Sequence, residues 1–319
     1  MGTALLGSLE SGVIFAIMAL GVYLTFRILD FPDLTVDGSF TTGGAVAAVL
    51  IVNGYSPFLG TIAAVIAGII FGALTGILHT KGKINALLSG ILSMIALYSI
   101  NLRIMGKANI GLLGEDTLLT QVQTAGSGFG EWLSKYSIVL FVIVLVILIK
   151  LVVDWFLDTE VGLALRATGN NARMIRSFST NTDNTIILGV ALSNGLVALS
   201  GALMAQYQGF SDVSMGIGMI IIGLASVIIG EAIFGDRSIR RATLAVIGGA
   251  IIYRLVVALA LRVGLSPSDM KLMTALIVII ALIAPMMINN WKDKKKKAAR
   301  RKQSASEMNA HLEGGKNNA

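Results

Sequence analysis

Two carboxylates four residues apart, Asp33 and Asp37, stand in the stretch Asp33-Leu34-Thr35-Val36-Asp37-Gly38-Ser39, together with the hydroxyls of Thr35 and Ser39. Apolar runs flank this stretch on both sides. An ionisable group held at membrane depth is expensive, and by default it marks a transport pathway or a functional contact. The competing reading is structural: Asp37 or Ser39 caps a helix by accepting from its free backbone N–H groups. Both readings stay open on the sequence. Glu231, in Ile229-Gly230-Glu231-Ala232, sits near the end of another apolar run, and Arg254 lies within the next. Each either pairs with a charge or lines a water-filled cavity. Asn85, Tyr98, Asn101, Ser193, Asn194 and Gln206 are further polar positions in apolar runs. Interhelical hydrogen bonds are the commonest use of such groups; lining a translocation path is the other reading, carried forward for Asn101, Asn194 and Gln206.

Motifs for covalent chemistry are missing from the chain. There is no GxxxxGK[ST] loop to cradle phosphates, and Gly216-Ile217-Gly218 followed by Gly223 misplaces the third glycine of a dinucleotide fingerprint. There is no HExxH and no GxSxG. The sequence has no cysteine, and its two histidines, His79 and His311, are far apart. No catalytic residue, metal site or cofactor is therefore expected, and the sequence argues against an enzyme.

The elements that must position these residues follow from composition. Of 319 residues, 55% are hydrophobic and 13% charged, against about 25% charged in a soluble domain. Much of the surface therefore does not meet water. A membrane-spanning helix needs roughly 20 apolar residues. Nine segments approach that length, at about 8–28, 39–54, 57–79, 84–104, 136–157, 184–207, 215–234, 240–262 and 270–289. The expected fold is an all-α, polytopic membrane helical bundle. Its second segment is short and contains Gly43 and Gly44, so a broken or re-entrant element is expected there, of the kind tolerated where protein or a cavity shelters the backbone. The first segment lacks a basic n-region and runs to full length, so it is read as retained and not as a cleaved signal. Gly68, Gly72 and Gly76 form a GxxxGxxxG stripe that lets a helix approach backbone to backbone, within the subunit or across an interface.

If nine segments alternate, Lys81–Lys83, Asp158–Asp183, Gly235–Arg241 and the C-terminal tail share one side. Of the 25 Lys and Arg in the chain, only Arg103, Lys107, Lys135, Arg254, Arg262 and Lys271 fall on the other. The positive-inside rule then places the N-terminus outside and the C-terminus in the cytoplasm. The expected domains are a transmembrane domain, 1–290, and a tail, 291–319, that is basic and then polar and disordered. The tail's cluster from Lys292 to Lys302 follows a spanning segment, so it signals topology and contact with anionic membrane lipid, not nucleic-acid binding. The loop at about 158–183 holds a short helical pattern that cannot span and wants a partner.

That loop carries the strongest resemblance to a known family. Gly162-Leu163-Ala164-Leu165-Arg166-Ala167-Thr168-Gly169-Asn170-Asn171-Ala172-Arg173, then Asn181-Thr182-Asp183 and Leu192-Ser193-Asn194-Gly195-Leu196 through Gly201, resemble the permease family of bacterial ABC importers for branched-chain amino acids and ribose-type sugars. The resemblance runs from about Gly7 to Pro285. Lys81-Gly82-Lys83-Ile84 looks like the family's first internal turn. Asp33 to Ser39 occupies the place of a sugar-permease motif but carries an inserted Asp37, which weighs against a sugar. Val197 through Phe210 and Gly223 through Glu231 are similar to the subgroup that works with tryptophan-type binding lipoproteins.

The resemblance implies a multi-pass permease subunit in the bacterial cell (inner) membrane. It implies a second permease copy as a homodimer, a cytoplasmic ATPase subunit and an extracellular or periplasmic substrate-binding protein. An amino acid, preferably aromatic, is the implied solute. The segment 162–168 with Arg173 and Arg176 becomes the helix that couples to the ATPase, with Leu163, Leu165 and Arg166 as docking contacts. Asp33, Thr35, Asp37, Ser39, Asn101, Asn194, Gln206 and Glu231 become candidates for the translocation path. The alternative is a secondary transporter driven by an ion gradient, using Asp33, Asp37 and Glu231 for ion coupling.

Overall fold

A helix that is apolar all round belongs in the interior of a bundle, and α1 (Gly2–Val22) behaves so: every residue from Val13 to Leu20 is at most 2% exposed. The structure, a computed structural model, describes residues 2–128, 131–177, 181–262, 272–280 and 283. The chain divides into one compact unit, Met1–Ala275, and a second, Leu276–Ala319; the expected tail, 291–319, and half of the expected ninth segment, 270–289, lie outside the described residues. Residues 272–280 are helical.

Helix α1 continues through a π-helical turn, Tyr23–Ile28. Then follow α2 (Thr35–Val52), α3 (Pro57–Thr80) and α4 (Ala86–Met105). Beyond a short strand, β1 (Asn109–Gly111), come α5 (Leu118–Ser127), α6 (Glu131–Asp158) and α7 (Glu160–Ser177). The chain closes with α8 (Thr182–Gln208), strand β2 (Phe210–Asp212), α9 (Met219–Phe234) and α10 (Ile239–Arg262). Among the described residues, seven helices are long and apolar enough to cross a membrane. Helices α1, α2 and α8 form the core. The outer helices turn apolar side chains outward, among them Phe58, Ile66 and Ile70 of α3, Leu88 and Leu92 of α4, and Val144, Leu151 and Trp155 of α6. Such continuous apolar faces suit lipid, where water would penalise them.

Glycine brings the core helices together. A Cβ at Gly43 would lie 1.9 Å from the Ala198 carbonyl oxygen, and one at Gly201 would lie 1.9 Å from that of Phe40, so α2 and α8 touch backbone to backbone. The Gly68, Gly72, Gly76 stripe faces Asn194, Val190 and Ile187 of α8, so it packs within the subunit. This corrects the expectation for the second segment: α2 is an unbroken helix, because its glycines serve contact and not interruption.

The interruption lies elsewhere. The seventh expected segment, about 215–234, is only partly helical. A turn-rich passage at 213–218 follows β2, and α9 has only 16 residues. The passage runs down α2 from Gly44, which faces Met215, to Asp37, whose carbonyl faces Gly216. Nearby Asp33 bonds to Asn194, close to the midpoint of the 27-residue α8. Helix α9 therefore starts about half-way along the bundle.

The two ends of the unit differ. At one, Arg27 pairs with Asp236, Arg240 with Asp158 and Arg176 with Asp183, so the basic loops assigned to one side on charge do share an end. At the other, β1 pairs antiparallel with β2, Ile110 opposite Ser211. There the Gln206 carboxamide oxygen accepts from the Leu118 N–H at 2.9 Å. The connection between α4 and α6 thus holds a strand and a helix, the latter opened by a reciprocal Thr117–Thr120 capping box.

Candidate functional site

Asp33 is 0% exposed. Its Oδ1 accepts from the Thr35 N–H at 2.9 Å and its Oδ2 from Asn194 Nδ2 at 2.7 Å. Thr35 Oγ1 meets Thr75 Oγ1 at 2.9 Å, and Thr75 donates to Ser93 at 2.7 Å. Three predicted path residues, Asp33, Thr35 and Asn194, are thus one buried knot joining α2, α3, α4 and α8. The Ser39 hydroxyl is also enclosed, without a hydrogen-bond partner. None of the four opens on a cavity.

Asp37 does. Its Oδ2 accepts from the Gly218 N–H and its Oδ1 from the Ile220 N–H, each at 2.8 Å. It therefore caps α9 from a different helix, at a terminus where Gly218 takes a left-handed φ of 89° and offers no side chain of its own. A carboxylate at a helix N-terminus satisfies unpaired N–H groups and complements the helix dipole. Asp37 also borders a cavity of about 520 Å³ lined by Gly38, Thr41, Met94, Ile95, Tyr98, Ser99, Asn101, Val213 and Ile217. Asn101 is fixed in its wall: it accepts from Thr42 Oγ1 at 2.8 Å and donates to the Gly38 carbonyl at 3.2 Å. Tyr98 and Ile95 stand 50% and 59% exposed at the mouth.

Gln206 and Glu231 lie elsewhere. Gln206 donates to Thr61 Oγ1 at 2.9 Å besides accepting from α5, so it locks the end of the bundle that carries the strands. Glu231 is bound to Arg27 Nε at 2.9 Å at the opposite end. The predicted path residues thus separate into a knot, a cavity wall and two end clamps. Sequence reading missed the wall residues Thr41, Met94, Ile95, Val213 and Ile217. The Gly216-Ile217-Gly218 interruption of an apolar run was the available signal, since broken segments flank binding sites in membrane transporters. Arg254 lies over the Phe15 ring, 4.2 Å from its centroid, a cation–π contact.

The predicted coupling segment forms α7. Gly162 is pressed against Phe156 and Leu157, where a Cβ would lie 2.1 Å from the Phe156 carbonyl oxygen. Thr168 is buried and donates back to the Ala164 carbonyl. Leu165 is 0% exposed and faces Gly189 of α8. That corrects its expected role as a docking contact, because a side chain enclosed by its own subunit offers nothing to a partner. Leu163 is 50% exposed. Ala164, Arg166 and Ala167 are half-buried and Arg173 exposed. Arg176 Nε donates to Thr182 Oγ1 at 2.7 Å, so it staples α7 to the start of α8.

Comparison with known proteins decides the family. Residues 4–283 match the family described as branched-chain amino acid transport system / permease component. The chain belongs to this permease family. It is 44% identical over 287 residues to a tyrosine transport system permease protein of Clostridioides difficile, covering 90% of this chain and 92% of that one. It is 34% identical to an uncharacterized protein of Rickettsia prowazekii, covering 87% of this chain and 96% of that one. A ribose import permease protein of Haemophilus influenzae is more distant, at 24% identity over 88% of this chain and 84% of its own. No solved structure matches the chain significantly. The permease is thus a multi-pass cell-membrane protein of the ABC importer class, with α1, α2 and α8 as its core.

Proposed function

We propose that this permease carries an aromatic amino acid, tyrosine or a close analogue, into the cell as one of two identical membrane subunits. Residues 1–290 make up the translocating domain. A cytoplasmic ATPase hydrolyses ATP beneath the pair, and a binding protein delivers the solute from outside. The observation that carries this reading is the 44% identity, along nine-tenths of the chain, to a tyrosine transport permease. Two features of the fold support it. Helix α7 offers an apolar anchor, Leu163, rimmed by Arg166 and Arg173, which is the make-up of a docking surface. The 520 Å³ cavity beside Asp37 falls within the roughly 300–1,000 Å³ of small-molecule sites. The basic end, with α7 and Arg240, faces the cytoplasm, and the strand-bearing end faces out.

The ion-coupled alternative is weaker on the same residues. Asp33 is sealed in a hydrogen-bonded knot and Glu231 is held by Arg27, so neither is free to load and release an ion, and Asp37 is engaged through both oxygens in capping α9.

Competition tests the solute. Proteoliposomes holding the permease, its ATPase and the binding protein should take up labelled tyrosine, with unlabelled tyrosine, phenylalanine or tryptophan competing. Leucine and ribose should leave uptake unchanged. Competition by ribose or leucine but by no aromatic amino acid would refute the aromatic assignment.

A further inference from the structure

We propose that Asp37 is the recognition point for the ammonium group of the transported solute, within the cavity bounded by α2, α4 and the 213–218 passage. The proposal rests on the permease reading above and narrows it to solutes that carry an amine.

Three predicted carboxylates lie in or beside the membrane segments, and their surroundings differ. Asp33 is fully enclosed. Glu231 has a guanidinium at 2.9 Å. Asp37 alone of the three borders open space, and no Lys, Arg or His lines that space. The ion pairs among the described residues join Arg27 to Glu231 and Asp236, Lys150 to Asp154, Arg176 to Asp183 and Arg240 to Asp158; none includes Asp37. Among the described residues, the Asp37 carboxylate therefore stands half-way through the bundle without a cationic partner. The α9 terminus stabilises that charge with neutral N–H donors and a helix dipole, yet it leaves acceptor capacity. Each carboxylate oxygen takes one backbone donor, out of about two lone pairs per oxygen. An intramembrane carboxylate so placed is completed by a mobile cation.

The rest of the lining says which kind. Neighbouring polar groups are committed: Thr41 Oγ1 donates to the Asp37 carbonyl and accepts from the Gly216 N–H, and the Asn101 amide is bonded at both ends. A bare metal ion would need several oxygen ligands, about six or more for calcium, and beyond the committed Thr41 and Asn101 the lining offers one carboxylate and the Tyr98 and Ser99 hydroxyls. Met94, Ile95, Val213, Ile217 and the Tyr98 ring suit an apolar or aromatic body attached to an ammonium. The site fits one amine-bearing aromatic solute, with the amine at Asp37 and the ring toward Tyr98.

The test uses the assembled permease–ATPase complex in lipid nanodiscs, without binding protein, and reads weak binding by saturation-transfer NMR. Tyramine and 4-ethylphenol share ring and chain and differ in the amine. Tyramine should give a signal that 4-ethylphenol does not, and Asp37→Asn, which keeps an oxygen for α9, should abolish it. In proteoliposomes the same variant should lower tyrosine uptake about tenfold or more, the scale of a lost charge-assisted hydrogen bond. Equal signals from the two probes, or a tyramine signal surviving Asp37→Asn, would overturn the proposal. Should that variant fail to assemble, Ser99→Lys and Ser99→Gln decide at an exposed position of the lining to which no solute contact is assigned. The lysine supplies a tethered ammonium and should block tyramine where the glutamine does not; equal behaviour would overturn the assignment. A wild-type complex that imports no aromatic amino acid would refute the solute reading by itself, since the paired probes read the site independently.

Discussion

Two leucines two residues apart sit in opposite environments on α7. Leu165 is sealed against Gly189 and Leu163 is half-exposed. A charge at each position should therefore fail differently. Leu165→Asp buries an unpaired carboxylate and should cost about 3 kcal/mol or more, read as loss of monodisperse protein on detergent gel filtration. Leu163→Asp should leave the subunit folded and reduce recovery of the ATPase with the tagged permease about tenfold or more, as loss of a central docking anchor does. Folded Leu165→Asp protein with reduced ATPase recovery would reverse the assignment. The sequence pattern offered both leucines to a partner because a short amphipathic helix does not say which of its faces meets its own subunit. Asp37 has the same lesson: capping was legible as its chemistry, but the helix it caps begins more than 180 residues later in sequence.

Among elements, α2 and α8 meet backbone to backbone at two glycines. Gly43→Ala or Gly201→Ala drives a methyl into a facing carbonyl that a Cβ would approach to 1.9 Å. Backbone cannot yield as a flexible side chain can, so either change should destabilise by about 1–3 kcal/mol or more, seen as a lower unfolding midpoint of the purified protein. Gly111→Ala, with nothing within 4 Å of its Cβ, should stay within about 0.5 kcal/mol. Equal midpoints for all three would remove the contact from the account. Seven long helices were legible because roughly 20 apolar residues leave few other structures in a membrane. The late start of the 16-residue α9 was not, since the run from Met215 to Gly230 holds no charged residue and hydropathy does not register where a backbone stops being helical. The β1–β2 pair was hidden for another reason: three-residue strands carry no period long enough to detect.

Over the whole molecule, charge and fold agree on two unlike ends, and the orientation can be measured directly. The chain has no cysteine, so single cysteines report without a background to remove. Leu113→Cys, at a position 90% exposed beside the strands, should react with a membrane-impermeant maleimide in intact cells. Arg173→Cys, on exposed α7, should react only after the membrane is opened. The reverse pattern would invert the molecule and move α7 away from any cytoplasmic ATPase.

The most direct test of the account is the energy source for uptake. In proteoliposomes containing permease, ATPase and binding protein, labelled tyrosine should accumulate when ATP is supplied on the ATPase side. It should do so with sodium and proton gradients collapsed by ionophores, and it should stop with a non-hydrolysable ATP analogue. Accumulation that ignores ATP and follows an imposed ion gradient would contradict the account and return the intramembrane carboxylates to ion coupling.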